Sequence, residues 1–273
     1  MLRQGKGEPL ILLHGVLQSA RTWRNVVPSL AANFEVIVPT ELGHLGGRTC
    51  DTRSASLADV VDDAERILDE LGVDKAHLAG NSMGGWVALE LAKRGRAETV
   101  CAFSTAGAWD RDWNDKRRVF RSLRNGVRRV RRLRRLLPIL SRFASGRRLS
   151  MTEVACHGDR LAPADYVDMA EDMLGCSILE DIIDDWEEAQ LAPFESPPCP
   201  ITLAWPKRDQ VFPVDTYGAR ARQMIPAARF VLLDDVGHIP MIDDPKLVVD
   251  TVIEATKAPA SGDQANQAPA TTA

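Results

Sequence analysis

The sequence predicts an α/β protein built on one mostly parallel sheet, with helices on both faces and a helical insertion between two strands. Short apolar runs alternate with helix-spaced segments, the pattern of successive βαβ units. That alternation stops between about Gly107 and Pro198 and then resumes. A chain of 273 residues suits one large domain carrying such an insertion, since single α/β folds run to roughly 250 residues.

Strands are expected at Leu10 to Leu13, Glu35 to Pro39, Lys75 to Ala79, Glu98 to Phe103, Ile201 to Trp205 and Arg229 to Leu233. A helix from Ser56 to Leu71 has a serine cap, apolar positions at Val60, Ala64, Ile67, Leu68 and Leu71, and Gly72 placed to end it. Another begins at Ser82, and a last one follows Pro245 with Val248, Val249, Val252 and Ile253 on one face. Within the insertion, Phe120, Leu123, Val127, Val130, Leu133 and Leu137 form an apolar stripe. The expected organisation is a core over residues 1–106 and 199–257, a helical cap over 107–198, and a disordered Ala, Pro, Gln, Ser and Thr tail over 258–273.

Composition narrows the function classes. With 45% hydrophobic and 26% charged residues the chain can bury a sizeable core, so it is neither a disordered chain nor a disulfide scaffold. Cys50, Cys101, Cys156, Cys176 and Cys199 include no C-x-x-C pair and no histidine at ligand spacing, which argues for reduced thiols and against a metal site. The early apolar run ends at His14 after four residues, which is no signal peptide, and no stretch approaches the roughly 18 apolar residues of a membrane span. A cytoplasmic location is expected.

Gly80-Asn81-Ser82-Met83-Gly84 matches G-x-S-x-G between an expected strand and an expected helix. A tight turn there strains the serine backbone, presents Ser82 Oγ at the carboxyl edge of the sheet, and aims the positive end of the following helix at a developing oxyanion. Two further loops follow later strands: Trp205-Pro206-Lys207-Arg208-Asp209, then Val236-Gly237-His238-Ile239-Pro240. A serine hydroxyl is a weak nucleophile at neutral pH. A histidine must take its proton, and a carboxylate can fix that histidine's tautomer. Asp234 and Asp235 are fallback acids that sit close to His238 along the chain.

These motifs, in the chain order serine, acid, histidine, resemble the α/β-hydrolase family over nearly the whole chain except the cap and tail. The resemblance implies an α/β-hydrolase fold with Ser82 as nucleophile, Asp209 as acid and His238 as base. Leu12-Leu13-His14-Gly15-Val16 looks like the family's oxyanion loop, which implies oxyanion donors at the backbone N–H groups of Val16 and Met83. His14 then packs under that loop. Serine at position 82 argues against members that resemble dehalogenases and epoxide hydrolases, which use a carboxylate nucleophile. The pattern departs in two places. Only nine residues precede Leu10, so the sheet is short at that edge or the start lies upstream; and Thr40 stands where a carboxylate is usual, so any charge there passes to Glu41.

The resemblance implies hydrolysis of a carboxylic ester or related acyl bond on a small-molecule acyl substrate, with neither metal nor organic cofactor. A lipase, thioesterase, C–C bond hydrolase, haloperoxidase or acyltransferase could use the same residues. A binding protein on this scaffold would lack a triad element, and none is missing. Trp109, Trp113 and Trp186 are candidate substrate contacts, or else anchors of the cap. An apolar underside to the cap would suit a hydrophobic acyl group. From Lys116 to Arg148 there are thirteen Arg, one Lys and no acid, and from Glu153 to Glu188 twelve acids against one Arg. Adjacent blocks of opposite charge favour internal pairing over peripheral contact with an anionic membrane. Nucleic-acid binding is not expected, because the basic segment holds only Phe120 and Phe143 as aromatics.

Overall fold

The computed structural model describes residues 1–50, 54–109 and 113–257, without the side chains of residues 113–116. The expected disordered tail at 258–273 lies outside the described residues. Seven strands among them form one sheet: β1 (Leu2–Gln4), β2 (Pro9–Leu13), β3 (Glu35–Val38), β4 (Ala76–Asn81), β5 (Ala97–Phe103), β6 (Ile201–Pro206) and β7 (Arg229–Leu233). Their spatial order is β1-β3-β2-β4-β5-β6-β7. Every neighbouring pair is parallel except β1 with β3. The six expected strands are present within two residues at either end.

β1 escaped the sequence reading for a physical reason. Its three residues are all exposed and contribute only one apolar side chain, so an edge strand of this kind carries no hydrophobic pattern. It pairs antiparallel with β3, and Arg3 Nη2 lies 2.5 Å from Glu35 Oε1.

The core helices are α1 (Val27–Leu30), α2 (Leu57–Glu70) and α3 (Met83–Lys93), and, after the insertion, α9 (Ala219–Met224), α10 (Pro240–Asp243) and α11 (Pro245–Thr256). Alternate strand residues serve two apolar layers, because successive side chains leave a strand on opposite faces. Ile11, Leu13, Ile37, Leu78 and Val100 pack with α2 and α3 residues such as Val60, Leu68 and Val87. Leu10, Leu12, Val36, Val38 and Phe103 pack with Leu30, Val248 and Val252 from α1 and α11. Ser56 caps α2 through a capping box with Asp59, and Gly72 leaves it with φ +69°, where only glycine is unstrained.

The chain leaves β2 toward β3 on one side and returns to place β4 on the other. At such a reversal the loops leaving the two central strands diverge and open a crevice at their carboxyl ends. The loop after β2 holds His14 to Gln18, and the turn after β4 holds Ser82.

Between β5 and β6 the described residues contain helices and turns only: α4 (Trp113–Leu133), α5 (Leu137–Leu140), α6 (Ala144–Ser150), α7 (Pro163–Gly175) and α8 (Leu179–Glu188). The apolar stripe of α4 is buried at Val119 and Phe120, half-buried through Leu123, Val127 and Val130, and exposed by Leu133. Among the described residues, internal pairing of the charge blocks is confined to a few contacts. The acids of α7 are taken by Arg21 and Arg24, outside the basic segment: Arg21 lies 2.9 Å from Asp168 and 2.5 Å from Asp172, and Arg24 lies 2.6 Å from Asp168. From the basic segment, Arg124 pairs with Glu180 at 2.7 Å and Arg148 approaches Asp159 at 3.8 Å. Among the described residues Arg128, Arg129, Arg131, Arg132, Arg134 and Arg135 have no acidic partner. The two blocks follow each other along the chain, but α7 turns its carboxylates toward residues 21–24.

Candidate active site

Ser82 sits between β4 and α3 with φ 58° and ψ −117°, a left-handed conformation that costs a non-glycine residue on the order of 1–3 kcal/mol. The surroundings hold it there. Its N–H donates to Phe103 O at 2.9 Å, and its carbonyl accepts from Trp86 N at 3.2 Å and Ala106 N at 3.0 Å. The flanking glycines are required by close approach: a Cβ at Gly80 would lie 2.1 Å from Gly84 O, and one at Gly84 would lie 2.3 Å from Leu13 O. Met83 N–H, at the start of α3, belongs to the first turn, whose donors have no intrahelical acceptor.

The loop after β2 lies against this turn, since a Cβ at Gly15 would come 3.3 Å from Ser82 Cβ. It is braced from several sides. Gly15 N donates to Gln18 Oε1 at 3.2 Å, and Leu17, at φ 68°, donates its N–H to His44 Nε2 at 3.3 Å. His14 is fully buried under the loop, as expected; its Nδ1 donates to Gly15 O at 2.9 Å and its Nε2 accepts from Glu41 N at 3.0 Å. Burial pushes both imidazoles down, His44 to about 4, and the neighbouring His44 lowers His14 further. His44 therefore braces the loop.

Asp209, after β6, is fully engaged. Its Oδ1 accepts from Val211 N at 2.8 Å and Phe212 N at 2.7 Å, and its Oδ2 lies 2.8 Å from His238 Nδ1. Donation from Nδ1 leaves Nε2 as the acceptor nitrogen of a neutral ring. The Phe212 ring packs edge to face on His238 at 5.1 Å. Asp234 and Asp235 turn elsewhere, to Lys207 at 2.6 Å and to His157 at 2.9 Å.

Two residues that the sequence reading passed over hold the histidine loop. Asn81 Nδ2 donates to His238 O at 2.9 Å, tying that loop to the serine turn. Asp243, 1% exposed, accepts from Gly237 N at 2.7 Å, Cys156 N at 2.9 Å and His157 N at 2.6 Å, which ties the loop to the insertion. Position x of G-x-S-x-G was the one available signal for Asn81; nothing in the sequence marked Asp243.

The charge role suggested for Glu41 does not fit its surroundings. Burial, and secondarily Asp63, push its carboxyl well above the usual range, and neither of its oxygens has a hydrogen-bond partner among the described residues. Thr40 instead accepts from Ala20 N at 3.3 Å. Trp109 and Trp186 are 2% and 1% exposed and pack on each other at 5.2 Å and on Trp86 of α3 at 5.4 and 5.9 Å. Trp109 also donates to Ala189 O at 3.0 Å. Both join the insertion to the core as packing residues, while the Trp113 side chain lies outside the described residues. Among the described residues no cysteine forms a disulfide, and burial pushes Cys199 up to about 11 and Cys101 higher still.

Comparison with known proteins adds three relationships. An epoxide hydrolase, EphH, of Mycobacterium tuberculosis is 30% identical over 201 residues, covering 73% of this chain and 92% of that protein. A thermophilic esterase from Thermogutta terrifontis has a similar structure, with a TM-score of 0.69, 25% identity, and coverage of 93% of this chain and 90% of that one. An enol-lactonase from Burkholderia xenovorans superposes with a TM-score of 0.71 at 18% identity, over 94% and 95% of the two chains, a likeness of fold. The model of the alpha/beta hydrolase family matches residues 10–251, and with the serine turn, the ordered loops and the sheet described above, the chain belongs to that family of hydrolases.

Proposed function

We propose that this hydrolase cleaves a carboxylic ester or a related acyl bond through an acyl-serine intermediate. The reading rests above all on the Asp209–His238 hydrogen bond of 2.8 Å, whose histidine backbone Asn81 ties to the turn carrying Ser82. His238 Nε2 accepts the Ser82 proton as Oγ attacks the substrate carbonyl carbon. The carbonyl π pair moves onto oxygen, and the N–H groups of Val16 and Met83 form the oxyanion hole that receives it. Collapse breaks the bond to the leaving alcohol, which takes the proton from His238. Water then adds to the acyl-serine with His238 as base, releasing the acid and restoring Ser82. Asp209 stabilises the imidazolium at each stage. Its carboxylate is held for this task by two backbone donors on Oδ1 and by His238 Nδ1 on Oδ2.

A second reading, epoxide hydrolysis, is favoured by the similarity to EphH. The chemistry of position 82 weighs against it. A carboxylate that opens an epoxide forms an ester, which water cleaves at the carbonyl; a serine hydroxyl would form an alkyl ether with no carbonyl to attack.

Turnover of a p-nitrophenyl ester series from acetate to longer chains, alongside styrene oxide, tests both readings. Ester hydrolysis that falls at least about a thousandfold in Ser82→Ala supports the proposal. Diol formation from styrene oxide with no ester turnover would overturn it.

A further inference from the structure

Ten large hydrophobic side chains are exposed among the described residues, and six of them fall between Leu133 and Leu149: Leu133, Leu136, Ile139, Leu140, Phe143 and Leu149. Random exposure of single apolar residues is ordinary; this concentration in one short stretch is not. The stretch is a well-formed platform. Leu140 N and Ile139 N donate to Leu136 O at 2.9 and 3.0 Å, and Phe143 N donates to Leu140 O at 3.2 Å. Its inner side is pinned by buried Leu137 and Ser141 and by buried Arg147, whose guanidinium donates to Ser141 O at 2.5 Å and Asp159 O at 2.9 Å. With Leu137 and Arg147 fixed inward, Ile139, Phe143 and Leu149 face solvent, 55%, 59% and 78% exposed.

Interleaved with these side chains are exposed Arg131, Arg132, Arg134, Arg135 and Arg142, with no acidic partner among the described residues. No acid occurs in the sequence from Lys116 to Arg148. We propose that this platform docks on a bilayer surface bearing anionic phospholipid headgroups, with the aliphatic and Phe143 side chains entering the acyl boundary and the arginines engaging phosphates. Both halves of the surface are matched at once, because arginine stems lie along apolar surface while their guanidinium groups reach the headgroup layer. A nucleic acid would satisfy the arginines but give the apolar side chains no place to go. A second copy of the chain meeting this patch face to face would set arginines against arginines. Binding here requires no catalysis, so the proposal stands apart from the assignment of Ser82.

The full chain is mixed with sucrose-loaded vesicles of phosphatidylcholine containing about one-third phosphatidylglycerol, and with vesicles of phosphatidylcholine alone, then sedimented. Expected is binding to the anionic vesicles, little to the neutral ones, and release by high salt. An Ile139→Ser, Phe143→Ser variant and an Arg131→Gln, Arg132→Gln, Arg134→Gln, Arg135→Gln variant should each bind about tenfold more weakly or worse, with unchanged circular dichroism. The single Leu149→Ser change, at a position 78% exposed, gives the same direction if a multiple variant fails to fold. Equal binding to both vesicle types, or anionic binding indifferent to loss of the apolar side chains, would overturn the proposal. So would a stable dimer in solution that the Ile139→Ser, Phe143→Ser variant dissolves while vesicle binding is absent throughout.

Discussion

The rings of His14 and His44 meet edge to face with centroids 4.9 Å apart, and each imidazole accepts a backbone N–H from the other's loop. His14, from the loop after β2, accepts from Glu41; His44, from the loop after β3, accepts from Leu17. Each donates its second nitrogen within its own loop, to Gly15 O and Leu42 O at 2.9 Å. The pair works as a reciprocal brace on either side of Val16, and it requires both rings neutral.

That requirement sets a pH dependence. The folded state holds His44 at about 4 against an ordinary 6.5, so as pH falls through 6.5 the unfolded chain takes up a proton that the folded chain refuses. The brace contributes fully above pH 6.5 and is lost progressively toward pH 4; His14 acts in the same direction. Buried Glu41 and Asp63, on the facing elements, stay the same in both proteins of a comparison with His44→Gln, whose amide can keep both hydrogen bonds. The stability advantage of the wild type over His44→Gln should shrink by about 3 kcal/mol between pH 7 and pH 4 in urea titrations. A constant difference across that range would rule out the neutral brace.

Glu41 has the opposite sign. Its folded-state carboxyl titrates above the usual range, so the unfolded state loses its proton first and stability falls as pH rises past the ordinary glutamate value. Glu41→Gln should match the wild type at pH 4 and exceed it in stability at pH 8, because the amide has no proton to lose in the unfolded state. Thermal melts at the two pH values decide it, and a variant less stable at both would contradict the assignment.

Asn81 joins the two halves of the proposed site with one side chain, so Asn81→Ala should loosen His238 relative to Ser82 without touching substrate. The expected outcome is a kcat lowered about tenfold to a hundredfold with KM nearly unchanged, as misplacement of a reacting group produces. A raised KM at constant kcat would instead make Asn81 a binding residue.

Trp109 is predicted to act through packing. Trp109→Ala removes a ring shared with Trp86, Trp186 and Phe212 and should cost about 3–5 kcal/mol by denaturant titration. An unchanged unfolding midpoint with a severalfold higher KM would return Trp109 to the substrate-binding role.

Much of this architecture was legible because it depends on local pattern. Strands covered on both faces and helices with one apolar face announce themselves in periodicity, and the turn at Ser82 in its glycines, each of which a Cβ would place against backbone. Asp209 and His238 were singled out through chain order, and the structure brings their side chains to 2.8 Å. The features that escaped are side-chain-to-backbone ties across the fold, such as Asn81 to His238 and Asp243 to Cys156, which impose no spacing on the sequence. Charge-block reasoning failed because adjacency along the chain does not fix which way a helix turns its acids. Asp168 and Asp172 lie against Arg21, not against the arginines of α4.

The central claim is that Ser82 is the nucleophile, and the most direct measurement is mass spectrometry of the intact chain after reaction with a fluorophosphonate. The account predicts one adduct per chain, located by peptide mapping on Ser82 and absent from Ser82→Ala. A folded wild-type chain that takes up no label, or that carries the adduct on another serine and keeps it in Ser82→Ala, would contradict it.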